Sequence, residues 1–232
     1  MKEKRSCVVL AGGFGTRLRE AVPDRPKCLA PVGARSFLEI HLDSLAGQGV
    51  DRFVLSLGHM AEMVIAAIEP LRTRYHIDCV IEESPLGTGG AVCYAMHQVG
   101  LDEAMLTNGD TFLDADLSDL MTPLALNAGE RMRLAAVKVD DRSRFGGITL
   151  ANRLVTGFLE KGAAGAGLIN AGVYRVHRSA FGNRAPGDVF SLETDVMPQL
   201  VQTGALKATV VLGSFIDIGV PLDYRRFCDE HA

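Results

Sequence analysis

Apolar runs recur along the first half of the chain, and each is followed by a stretch of helical pattern. Residues 7–11 (Cys7-Val8-Val9-Leu10-Ala11), Arg52-Phe53-Val54-Leu55-Ser56-Leu57, Ile77 to Glu82 and Ala104-Met105-Leu106-Thr107 read as strands. Between the first two, Ser36 with Glu39 three places on forms a capping box, and Leu38, Leu42 and Leu45 then recur at helical spacing. Residues 60–72 and 89–98 predict two more helices. This alternation predicts an α/β fold with a doubly wound, mostly parallel sheet. The second half changes character: 133–139, 147–151, 154–160, 168–176 and 207–212 are strand candidates with few helical turns between them. A mixed second lobe, over about 131–232, is expected to follow a first lobe of about 1–130. No linker rich in Pro or Ser separates them, so a single domain spanning 1–232 is the simpler reading.

Composition narrows the class. The 232 residues are 47% hydrophobic and 22% charged, enough for a sizeable core in a soluble protein. The net charge of −4 argues against a nucleic-acid binder. Lys2-Glu3-Lys4-Arg5 reads as a solvated tail. No apolar run reaches the roughly 18 residues of a membrane span, and no signal-peptide pattern precedes the first strand. The five cysteines are scattered, odd in number and form no C-x-x-C pair. Neither a zinc site nor a disulfide framework is expected, and reduced thiols fit a cytoplasmic protein. Cys28 follows Lys27, which could lower its pKa, but a passive neighbour is the expected reading. There is no Gly-x-Ser-x-Gly elbow, and the six histidines fall at no telling spacing. His41 and His97 read as packing or surface residues.

The first strand runs into Leu10-Ala11-Gly12-Gly13-Phe14-Gly15-Thr16-Arg17-Leu18. Three glycines permit a tight turn that presents backbone N–H groups to an anion. Arg17 and Lys27 add two cations, which makes a phosphate cradle the better reading than an ordinary turn. It is not a dinucleotide fingerprint, because Leu18 stands where a third glycine is needed. It is not a P-loop either, because Gly15-Thr16-Arg17 replaces Gly-Lys-Ser/Thr.

Two carboxylates complete the picture. Asp110 ends Asn108-Gly109-Asp110, just after a predicted parallel strand, where ligands of such sheets bind. Asp217 sits among apolar neighbours in Phe215-Ile216-Asp217-Ile218-Gly219. Together they could hold one Mg²⁺. Taken singly, Asp110 could serve an ordinary turn and Asp217 could cap a helix starting near Pro221. A second glycine-rich loop, Pro85-Leu86-Gly87-Thr88-Gly89-Gly90-Ala91, could likewise bring N–H groups to a ligand, with the base of a nucleotide in one loop and its phosphates in the other.

These segments, with Pro26-Lys27-x-x-x-Pro31-Val32, Glu160-Lys161, Asn170-Ala171-Gly172-Val173-Tyr174 and Asp217-Ile218-Gly219, resemble the sugar-1-phosphate nucleotidyltransferases nearly end to end. Within that family the chain is most similar to the bacterial D-glycero-α-D-manno-heptose 1-phosphate guanylyltransferases, without the extra C-terminal domain of longer relatives. The resemblance implies a Rossmann-like fold, a nucleoside triphosphate and a sugar 1-phosphate as substrates, Mg²⁺, and supply of surface-polysaccharide precursors. It implies that Arg17 and Lys27 contact the triphosphate and the α-phosphate, that Asp110 belongs with them to the catalytic set, and that Asp110 and Asp217 hold the metal. Leu10, Ala11, Gly12 and Gly13 with Gly15 and Thr16 are then one wall of the nucleotide site. Glu82, Pro85, Gly87, Thr88 and Asn108 are the other. Glu160 is expected on sugar hydroxyls and Lys161 on the sugar phosphate, with Gly147 and Asn170 lining the sugar pocket. Two departures leave the reacting groups intact: Cys28 replaces a frequent proline, and Ala34-Arg35-Ser36 a frequent Gly-Lys-Pro.

Thymidylyl and uridylyl relatives usually carry a glutamine at the position of Glu82. A carboxylate only accepts hydrogen bonds, and guanine offers N1–H and N2–H side by side. The expectation is a GTP preference read by Glu82 or Glu83; a solvated acidic pair is the other reading. Mannose 1-phosphate, uridylyl transfer to an N-acetylated amino sugar 1-phosphate, and a non-catalytic sugar-nucleotide-binding subunit are the alternatives. Nothing in the chain opposes a homo-oligomer.

Overall fold

The computed structural model describes residues 5–13, 18, 22–162 and 164–232. Strands β1 (Ser6–Leu10), β2 (Arg52–Leu57), β3 (His76–Ile81) and β4 (Glu103–Asn108) alternate with helices α1 (Phe37–Gly47), α2 (Ala61–Ile68) and α3 (Gly87–Gln98). After β5 (Thr111–Ala115) come β6 (Met132–Val139), β7 (Gly147–Ala151), β8 (Leu154–Leu159) and β9 (Gly167–His177). The chain closes with α4 (Met197–Gln202), β10 (Leu206–Val211), β11 (Gly213–Asp217) and α5 (Pro221–His231).

Among the described residues, nine strands form one sheet in the order β3-β2-β1-β4-β9-β6-β10-β8-β7. The first four are mutually parallel. β9 runs antiparallel to both β4 and β6, β10 is parallel to β6, and β8 is antiparallel to β10 and β7. The parallel half and the mixed half are therefore both present, and the sheet passes through both without a break. The predicted helix over 60–72 stops at Ile68 and continues as a 3₁₀ turn, Glu69–Thr73. Pro70 explains the change, since it has no N–H to give an α-helical ladder.

Side chains alternate between two cores. Cys7, Val9, Phe53 and Leu55 face α1 and α2, whose Leu38, Leu42, Leu45 and Val64 are buried. Val8 and Val54 face the other side, where Val92 and Met96 of α3 pack with Phe181 and Phe190. Ser36 caps α1 by accepting from the Glu39 N–H at 3.2 Å. His41 is also buried, 3.3 Å from the Thr107 hydroxyl, and burial lowers its pKa to about 4. It is a neutral packing residue.

A third cluster fixes the C-terminal helix. Phe227 of α5 packs its ring 5.0 Å from Phe37 and 5.1 Å from Phe112. β5 and β11, which the apolar pattern had not separated out, pair antiparallel with Asp217 opposite Thr111. This small two-stranded sheet carries the C-terminal segment back to the carboxyl end of β4.

Candidate active site

The chain order β1, β2, β3 grows the sheet in one direction, and β4 then joins on the other side of β1. The crevice beyond the carboxyl ends of β1 and β4 is thus a topological switch point, the usual ligand position in open α/β sheets. A cleft of about 630 Å³ opens there. Its floor is Leu10 and Ala11 on one side and Asn108, Gly109 and Asp110 on the other. The Gly109 N–H donates to the Leu10 carbonyl at 2.9 Å, and a Cβ at Gly109 would overlap that carbonyl. Only glycine lets the two strand ends meet this closely.

Lys27 reaches the cleft from a 3₁₀ turn, Lys27–Leu29. Its Nζ lies 2.6 Å from Asp110 Oδ2 and 3.5 Å from Asp217 Oδ1. The Ile218 N–H donates to the Asp110 carbonyl at 3.0 Å, which ties the two acidic segments together. Asp217 Oδ1 also accepts from the Gly219 N–H at 2.8 Å. Asp217 therefore shapes its own turn and does not cap α5, whose N-cap is Val220. The side chains of Lys27, Asp110 and Asp217 are 10%, 34% and 17% exposed; Lys27 and Asp110 line the cleft, and Asp217 joins them through its contact with Lys27 without lining it. Cys28 beside it is buried, and burial pushes its thiol up to about 12. It is an inert neighbour, as expected.

Gly12 and Gly13 line the cleft. A Cβ on Gly12 would meet the Gly58 nitrogen at 2.9 Å, whereas one on Gly13 would meet none of the described residues within 4 Å. Gly15, Thr16 and Arg17 lie outside the described residues. Glu82 follows β3, its N–H donating to the Leu57 carbonyl at 2.9 Å. Its Oε2 accepts from the Leu86 N–H at 3.2 Å, and its other oxygen packs against Gly12 and Gly58. Burial raises its pKa above the ordinary carboxylate value, with the Leu86 hydrogen bond opposing. Pro85, Gly87 and Thr88 complete this wall.

The second glycine loop differs from the expectation. The N–H groups of Gly89 and Gly90 donate to the Phe190 carbonyl at 3.0 and 3.1 Å. A Cβ at Gly89 would overlap the Phe190 ring, and one at Gly90 the Asp188 carbonyl. These glycines admit a neighbouring protein segment, not a phosphate. Glu193 of that segment lines the cleft, as do Ser56, Gly58 and His59. The sequence does not mark these four, because their spacing carries no motif. They reach the cleft through the β2 end and through the fold of the 182–196 segment.

The expected sugar residues gather elsewhere, at the β7–β8–β9 junction. Gly147 pairs with Leu159 and with Ile169, which places Glu160 and Asn170 one residue beyond each partner. Glu160 and Lys161 are exposed. The Asn170 amide donates to the Tyr174 hydroxyl at 2.8 Å and accepts from the Gly172 N–H at 3.0 Å. None of the four lines the main cleft.

A family model described as Nucleotidyl transferase matches residues 6–230. The D-glycero-alpha-D-manno-heptose 1-phosphate guanylyltransferase of Campylobacter jejuni is 35% identical over 221 residues, 95% of this chain and 97% of that protein. A putative mannose-1-phosphate guanyltransferase of Sulfolobus acidocaldarius is 34% identical over 95% of this chain, which spans 61% of that longer protein. The crystal structure of HddC from Yersinia pseudotuberculosis superposes with a TM-score of 0.85 at 33% identity, over 98% of this chain and 100% of HddC. A second HddC crystal structure, complexed with GMP-PN, matches equally well.

Proposed function

Because the chain belongs to the nucleotidyl transferase family, we propose that it moves a guanylyl group from GTP to a sugar 1-phosphate, foremost D-glycero-α-D-manno-heptose 1-phosphate, releasing pyrophosphate and a GDP-sugar. The observation that carries this reading is the Lys27 ammonium held by Asp110 and Asp217 at the switch-point cleft. Support for the base and the sugar comes from the heptose guanylyltransferase relative and from HddC with GMP-PN. Glu82, a hydrogen-bond acceptor on the cleft wall, supports guanine over uracil, whose carbonyls would face it.

The chemistry needs no protein nucleophile. The phosphate of the acceptor is ionised at neutral pH and attacks the α-phosphorus in line as the bond to pyrophosphate breaks. The main barrier is bringing anions together, so fixed cations are the principal devices. Lys27 supplies one to the α-phosphate. Arg17 supplies another to the triphosphate in this reading, and Lys161 one to the sugar phosphate. Glu160, Gly147 and Asn170 orient the sugar from the β7–β9 side. The two halves thus act as a nucleotide lobe and a sugar-phosphate lobe of one domain.

Nucleotidyl transferases work with a divalent metal. The donor set fits Mg²⁺: two carboxylates converge on one cation, here the Lys27 ammonium. Mg²⁺ prefers such a site, with phosphate and water completing its shell. Asp110 and Asp217 would hold it, and when bound it supplies positive charge to the phosphoryl oxygens. Among the described residues no helix is long and apolar enough to cross a membrane, and a cytoplasmic enzyme supplying surface-polysaccharide precursors is the setting we propose.

A second reading takes mannose 1-phosphate as acceptor. The Sulfolobus relative supports it, and the two sugars share a ring configuration and differ at the exocyclic carbon. Pyrophosphate release across four nucleotides and both sugar phosphates, with Mg²⁺ or a chelator, separates the readings. GTP with the heptose phosphate is expected to be fastest and the chelator to stop it. UTP or CTP as the best donor would overturn the base assignment, and faster turnover with mannose 1-phosphate would move the sugar.

A further inference from the structure

Glu193 lines the cleft, yet the reaction gives it no task. A carboxylate lining a cleft that takes a polyanionic donor is unfavourable by Coulomb's law, so its presence calls for a reason. Its contacts supply one. Glu193 Oε2 accepts from the Thr88 hydroxyl at 2.6 Å and from the Ser191 hydroxyl at 3.1 Å. The Thr88 oxygen in turn accepts from the Leu192 N–H at 2.9 Å. A threonine hydroxyl has one proton to donate, and Glu193 takes it. Thr88 is thereby locked in both its donor and its acceptor role.

Thr88 is the second residue of α3, and with Pro85 and Gly87 it forms part of the cleft wall. That wall has little rigidity of its own. Gly87 has a φ of +72°, a conformation open mainly to glycine, and Leu86 does not cap the helix with its side chain. The wall is located instead by the 188–193 segment, through the Phe190 carbonyl, Leu192 N–H and Glu193 carboxylate. Thr88 and Glu193 are 105 residues apart in the chain.

We infer that Glu193 is a positioning residue for the nucleotide: acting through Thr88, it sets where the Pro85–Thr88 wall stands against the bound donor. This rests on the cleft being the nucleotide site, and Asp110→Asn, assayed alongside, tests that separately. If Asp110→Asn keeps full turnover, the cleft assignment fails; if it loses turnover, the Glu193 variants judge the positioning role alone.

Glu193→Ala and Thr88→Val are expected to raise KM for GTP about tenfold, the loss of one hydrogen bond to a charged group, with kcat within about twofold and KM for the sugar phosphate unchanged. Thr88→Ser and Glu193→Gln, which keep a hydroxyl and an acceptor, should restore most of the affinity. The double variant Glu193→Ala/Thr88→Val should be no worse than either single one, since both remove the same bond. If Glu193→Ala does not fold, Glu193→Asp serves: it keeps the charge, shortens the reach, and should raise KM for GTP in the same direction. The inference is overturned if KM for GTP stays at the wild-type value in folded variants. It is equally overturned if both KM values rise together with a lowered melting temperature, the signature of a purely structural contact.

Discussion

Gly12–Gly13 and Gly87–Gly90 both join the end of a strand to the start of the next segment, and both border the cleft. The first is half open: a Cβ on Gly12 would meet the Gly58 nitrogen at 2.9 Å, whereas one on Gly13 would meet none of the described residues within 4 Å. Around the second the space is filled, with the Phe190 carbonyl 2.6 Å from where a Cβ on Gly87 would stand. The N–H groups of Gly89 and Gly90 are already taken by that carbonyl. One turn keeps room for a ligand, while the other uses the same residue type to admit a remote stretch of its own chain. Glu82 connects them, packing against Gly12 with one oxygen and holding the Leu86 N–H with the other.

Substitution should separate the two turns sharply. Gly90→Val drives a branched side chain into the Asp188 backbone, and a loss of about 3 kcal/mol in unfolding free energy is expected. A denaturant midpoint equal to wild type would show that the 188–193 segment is not held there. On the other side of the cleft, chemistry should fail before the fold does. Lys27→Ala is expected to cut turnover about a hundredfold, roughly 2.7 kcal/mol of transition-state stabilisation. Wild-type pyrophosphate release in that variant would remove Lys27 from the mechanism.

Acidity tests the residue between the turns. Burial raises the pKa of Glu82 above its ordinary value, so its carboxylate is lost on the acid side earlier than an exposed one. If the ionised form reads guanine, KM for GTP rises as pH falls through that raised pKa, by up to about tenfold per pH unit below it. Glu82→Gln should show a flat KM over the same range; parallel profiles for the two proteins would take Glu82 out of base recognition. The smallest effect belongs to the open turn. Gly13→Ala should change stability by less than about 0.5 kcal/mol, because the added methyl meets none of the described residues, and thermal unfolding measures it.

The contrast also explains what could be read in advance. β1, its glycine turn, Lys27 and Asp110 were legible because each is local: an apolar run, a turn chemistry and a charge at a strand end. The parallel half followed from the same alternation of runs. Asp217 pairs with Asp110 on chemical grounds, and the contact that joins them depends on the long-range antiparallel pairing of β5 with β11. β5 begins directly after the Asp110 turn with only five residues, too short to stand out as a separate period. The second glycine loop is legible only in part, for a related reason: Pro85, Gly87 and Thr88 line the cleft, while Gly89 and Gly90 serve a protein contact. Glycine signals close approach without saying to what, and here the answer is Phe190, a hundred residues away. Glu193 was silent in sequence because its role comes wholly from that approach. Arg17, Gly15 and Thr16 lie outside the described residues, and their roles stand on the family resemblance.

The claim on which the rest depends is that Asp217, carried back by β11, shares a cation with Asp110 and serves phosphate chemistry. Asp217→Asn preserves shape and the acceptor for the Gly219 N–H while removing the charge. Pyrophosphate release from GTP with the heptose 1-phosphate and Mg²⁺ should fall about a hundredfold in that variant, with the melting temperature close to wild type. Undiminished release at the same Mg²⁺ concentration would contradict the account.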